Sequence, residues 1–88
     1  MKTWILCIEK QYAKVFAQDD KNEPRLCYTL NSSHRSKKNF LKYVAEEMEL
    51  ACGSGTDNHL VVEGERDVVK KITQLFSYEV RQSVRAHA

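Results

Sequence analysis

The chain has 88 residues, 42% of them hydrophobic and 30% charged, with one proline, three glycines and a net charge of +2. This composition fits one globular domain spanning residues 1–88 and excludes disordered, collagen-like and low-complexity classes. No apolar run approaches the ~20 residues that cross a bilayer, and the apolar start ends at Glu9-Lys10 without the features of a secretory signal. The expected setting is therefore the cytoplasm. A domain of this size buries about 60–65% of the surface its unfolded chain exposes, so stability is modest and self-association is expected.

Residues 3–9 (TWILCIE) form a short apolar run rich in β-formers, which reads as a central strand buried on both faces. Residues 12–18 (YAKVFAQ) give a second strand after a short Lys10-Gln11 turn, and the polar stretch 19–24 with Pro24 breaks the pattern. Residues 25–30 alternate, placing Leu26, Tyr28 and Leu30 on one face, as a half-buried antiparallel strand does. Three strands with short connections make a meander. Tyr12, Phe16, Tyr28 and Phe40 are expected in the core.

A polar segment, 31–38, precedes a helix marked by Phe40, Leu41, Val44, Ala45, Met48, Ala51 and Cys52 at helical spacing. Ser36 and Asn39 are both suited to cap its start, and Gly53-Ser54-Gly55 is suited to end it. Residues 59–63 (HLVVE) read as a fourth strand, set parallel to the first by a right-handed crossover. After Gly64, an apolar stripe through Val68, Val69, Ile72, Leu75, Phe76, Val80 and Val84 predicts one amphipathic helix to about Arg85. The expected fold is α+β, in the order β-β-β-α-β-α. It has a four-stranded mixed sheet (order 3-2-1-4) with two helices, related to the ribonuclease H core.

Cys7, Cys27 and Cys52 are odd in number and lack CxxC spacing, which argues against disulfides and thiolate zinc and for small buried thiols. His34, His59 and His87 form no ligand set, so neither a metal nor a cofactor is expected. Charge is unevenly placed. Residues 31–44 hold Arg35, Lys37, Lys38, Lys42 and His34 with no acid, whereas residues 45–67 hold seven acids and one base, Arg66. Lys37 and Lys38 oppose the helix dipole if they lie in the first turn, a cost of about a few tenths of a kcal/mol each.

Trp4-Ile5-Leu6-Cys7-Ile8-Glu9 followed by Tyr12-Ala13-Lys14-Val15-Phe16 resembles the first hairpin of the central domain of eukaryotic and archaeal peptide-chain release factors. It is also similar to bacterial relatives that include host-attachment proteins. Phe40-Leu41-Lys42-Tyr43-Val44-Ala45-Glu46-Glu47, and then His59-Leu60-Val61-Val62-Glu63-Gly64, resemble that domain's helix and following strand. Release factors carry Gly-Gly-Gln in the loop before this helix. The matching stretch here is Ser32-Ser33-His34-Arg35-Ser36-Lys37-Lys38, so peptide release by that chemistry is not implied.

Three functions follow as expectations. The leading one is a non-catalytic, translation-linked module. It would bind RNA or the ribosome through His34, Arg35, Lys37, Lys38 and Lys42, with help from Arg81 and Arg85 if the tail packs nearby. The second is a protein–protein interaction or homo-oligomerisation module using the sheet face that two helices leave uncovered. The third is a ribonuclease H-like, metal-dependent nuclease, which would need Glu9, Glu46 or Glu47, and Glu63 to converge.

Overall fold

The apolar run that opens the chain lies at the middle of the sheet. In the computed structural model, which describes residues 2–19, 22–32, 36–52 and 58–87, β1 (Lys2–Ile8) pairs antiparallel with β2 (Tyr12–Asp19) and parallel with β4 (Asn58–Gly64). β3 (Arg25–Asn31) pairs antiparallel with β2. The order 3-2-1-4 and the mixed strand sense agree with the sequence reading. The structure adds a strand beyond β4: β5 (Val84–His87) runs parallel to it, giving the order β3-β2-β1-β4-β5.

Side-chain alternation divides the sheet into two unlike faces. Trp4, Leu6 and Ile8 of β1 are buried with Ala13, Val15, Leu30, Leu60 and Val62. They share one core with Phe40, Leu41, Val44, Ala45 and Met48 of α1 (Lys37–Cys52) and with Val68, Val69 and Ile72 of α2 (Arg66–Leu75). Fully burying a side chain of this kind contributes about 1.5–3 kcal/mol, so this single cluster is the main source of stability. The intervening residues Thr3, Ile5 and Cys7 face the other way and are only half-buried. β1 is central, as expected, but covered by helices on one face.

The second helical region differs from its prediction. The stripe continues on the same core through Phe76 and Val80, yet the backbone is extended at Phe76 (φ −69°, ψ 150°) and at Ser77 (φ −63°, ψ 164°). Ser77 then caps a separate helix, α3 (Tyr78–Ser83), its hydroxyl accepting from the Val80 amide at 3.3 Å. Val84, read as the end of a helix, instead opens β5 opposite Leu60. The turn at Phe76–Ser77 breaks the helix without interrupting the stripe, because both helices bury their apolar residues against one core.

Other corrections follow from the sheet. The β2–β3 register shifts between Val15 and Phe16, so Leu26 pairs with Phe16 on the open face and is 54% exposed, apart from Tyr28 and Leu30. Tyr12 (45% exposed) and Phe16 also lie on that face and outside the core, whereas Phe40 is fully buried. Cys7 is half-buried and Cys27 exposed, so neither is a core thiol. Gly53-Ser54-Gly55 lies outside the described residues.

Candidate nucleic-acid interface

The basic segment meets the fold at the start of α1. Ser36 is the cap: its hydroxyl accepts from the Asn39 amide at 3.2 Å, and its carbonyl accepts from the Phe40 amide at 2.8 Å. Helix geometry therefore begins at Lys37, and the first turn carries Lys37 and Lys38 with no acidic residue. Two lysines are placed at the amide end of a helix, where negative charge is favoured. His34 and Arg35 lie outside the described residues, and Lys37 is described in its backbone only.

Lys38 and Lys42 are exposed, one turn apart on α1. Lys38 lines a groove of about 440 Å³ with Leu41 of α1 and with Lys71, Gln74 and Leu75 of α2. Lys71 is thus a basic neighbour that the charge pattern of residues 31–44 did not reveal. Only the packing of α2 beside α1 brings the two lysines to one groove. The adjoining hollow beside Lys42 holds Glu46, Glu49 and Leu50, so acidic residues bound the basic region toward the end of α1.

Arg81 is used within the domain. Its guanidinium donates to the carbonyls of Gln74 at 3.3 Å and Phe76 at 3.1 Å, satisfying acceptors left at the end of α2. Glu49 receives the Ser77 amide at 2.5 Å, which ties α1 to the turn before α3. These bonds place Arg81 at the α2–α3 turn, and the side chain of Arg85 is outside the described set.

The carboxylates proposed for metal chemistry are separated by the sheet. Glu63 lies on the open face, where its Oε2 accepts from the Cys7 thiol at 3.4 Å. Glu46 and Glu47 lie on α1, which packs on the opposite face. Glu9 follows β1 and joins Glu63 in acting on Cys7: burial pushes that thiol above its ordinary value of 9.0, the hydrogen bond and charge of Glu63 add to the rise, and Lys14 opposes it. Among the described residues, no group of three or more His, Cys, Asp or Glu side chains is arranged to hold a metal ion. A nuclease centre needing Glu46 or Glu47 with Glu63 is incompatible with this geometry.

No family model and no curated protein matches the chain. Solved structures do share its fold. A structure described as an archaeal protein superposes with a TM-score of 0.76 at 13% identity over 99% of this chain. An archaeal translation termination factor superposes with a TM-score of 0.77 at 12% identity over 98%. Archaeoglobus fulgidus Pelota gives 0.72 at 17% over 99%. The chain spans 29%, 29% and 26% of these three proteins. The fold implied by the release-factor resemblance is the fold observed, and at these identities the likeness concerns fold.

Proposed function

We propose that this domain is a non-catalytic, translation-linked module that binds RNA or the ribosome through the basic start of α1, in the cytoplasm where that partner resides. The observation that carries the reading is the acid-free first turn of α1, with Lys37 and Lys38 set at the amide end of the helix. Positive side chains there cost helix stability, which a phosphate ligand would offset. The exposed Lys38, beside Lys71 on the same groove, extends the basic surface onto α2. The fold shared with an archaeal translation termination factor supports the translation-linked part of the reading.

His34, Arg35 and Lys42 complete the proposed contact set, all directed at phosphate rather than at base edges. Tyr12 and Phe16 are on the open sheet face, away from α1, so base stacking on those rings is not part of the reading. Self-association belongs to the same picture and would use a different surface. Among the described residues, no helix is long and apolar enough to cross a membrane. The test is a pull-down that separates ribosomal fractions from free protein, with Arg35, Lys37 and Lys38 intact or changed to Ala. Ribosomes retained by the parent and lost by the variant support the proposal; equal retention, or none by either, overturns it.

A further inference from the structure

The open face of the sheet is organised in rows. Strand register sets Leu26, Phe16, Ile5 and Val61 side by side across β3, β2, β1 and β4, an apolar band spanning the face. The next row reads Lys14, Cys7, Glu63 across β2, β1 and β4, and the row on the other side reads Gln18, Thr3, His59. Among the described residues no helix covers this face, since the helical side chains join the core on the opposite side. The band is apolar, and the row beside it is basic on β2 and acidic on β4.

We propose that this face binds the same face of a second copy of the chain, about a two-fold axis running along β1. Such an axis exchanges left and right while keeping position along the strand. Each Lys14 is then set over the Glu63 carboxylate of the other copy, twice per dimer, and each Phe16 over the opposite Val61. Ile5 meets its own counterpart on the axis. The alternative in-plane axis, perpendicular to β1, would place Lys14 over Gln18 and would pair no Lys14 with Glu63. A partner built from the same residues therefore satisfies the charge pattern and the apolar band together. Lys14 is exposed, and its ammonium rests 5.9 Å from the ring centroid of exposed Tyr12, a surface contact it would exchange for the Glu63 carboxylate of the other copy.

Size sets the strength. Four strands about 4.8 Å apart, each about 23 Å long, present a face of roughly 400–450 Å² before side-chain relief. That is below the ~800 Å² per partner of a standard interface, so the dimer is a weak one. Aligned sheets pack about 10 Å apart with strands crossing near 30°. With Ile5 at the crossing, the two Cys7 backbones lie within about 12 Å of each other. The perpendicular axis would instead set each Cys7 over Thr3 and move the two thiols apart along the strand.

The inference stands apart from ribosome binding, because Lys14, Glu63 and Cys7 are on the face opposite α1. Sedimentation equilibrium of the full chain to ~100 µM reads the dimer directly. Lys14→Glu and Glu63→Lys, both exposed and outside the core, should each weaken it about tenfold by replacing two attractions with two repulsions. The double variant should restore affinity to within about threefold of the parent. A short bis-maleimide should link Cys7 to Cys7 in a Cys27→Ser background, with the linked peptide identified by mass spectrometry. A monomer at every concentration overturns the proposal, as does a dimer indifferent to the charge reversals or one that yields no Cys7–Cys7 link. Retained ribosome binding in these variants keeps the two proposals separately testable.

Discussion

Gly64 closes β4 at a backbone conformation that side chains rarely adopt, with φ at 151°, opposite Ile8 in the β1–β4 register. Gly64→Ala introduces two penalties. Holding alanine at this φ costs about 1–3 kcal/mol. The added Cβ is also directed into the Ile8 carbonyl oxygen, which belongs to the buried central strand and cannot move aside cheaply. Separating the strands there gives up the last rung of the ladder, about 1 kcal/mol. The sum, about 2–4 kcal/mol, is a large share of the roughly 4–13 kcal/mol expected for a domain of this length. With an m-value of about 1 kcal/mol/M in urea, the midpoint should fall by about 2–4 M, monitored by far-UV circular dichroism. Thermal unfolding should shift down by at least about 10 °C. A urea midpoint within about 0.5 M of the parent would refute the reasoning from backbone geometry.

Two further predictions rest on hydrogen bonds and on charge. Arg81→Ala should cost about 1 kcal/mol through the two carbonyls it leaves at the α2–α3 turn, without weakening ribosome binding; a stability unchanged by urea titration would remove it from that role. Cys7 should react with iodoacetamide more slowly than exposed Cys27 at pH 8, because burial first and Glu63 second hold its thiol above 9.0 and only the thiolate attacks. Glu63→Gln lowers that pKa and should accelerate Cys7 a few-fold. Site-resolved mass spectrometry reads both rates, and an unchanged Cys7 rate would show that the carboxylate does not act on the thiol.

Much of the fold was legible because its signals are local. The apolar run marks β1, the polar breaks on either side mark β2 and the helical stripe marks α1, each from neighbouring residues alone. The end of the chain was not legible in that way. Phe76, Val80 and Val84 keep helical spacing across a break, so periodicity describes one continuous helix where two short helices and a strand share one core. Ser77 was the available sign, a capping residue inside the stripe. Leu26 was misplaced because a bulge in the β2–β3 pairing reverses the alternation, and a single sequence carries no mark of that shift. The candidate site shows the same division. Ser36, Lys37 and Lys38 were readable as a capped basic helix start, whereas Lys71 joins them only through helix packing.

Phosphate recognition at the start of α1 is tested most directly by the response of binding to salt. Co-sedimentation with ribosomes from ~50 to ~200 mM salt should give, for the parent chain, a log–log slope of about −2 to −4. Changing Lys38 to Ala removes one phosphate contact and should flatten that slope by about 0.7–0.9, while raising the urea midpoint by about a few tenths of a molar as the unfavourable charge leaves the first turn of α1. No binding at ~50 mM salt, or a slope that Lys38→Ala leaves unchanged, would contradict phosphate recognition at the start of α1.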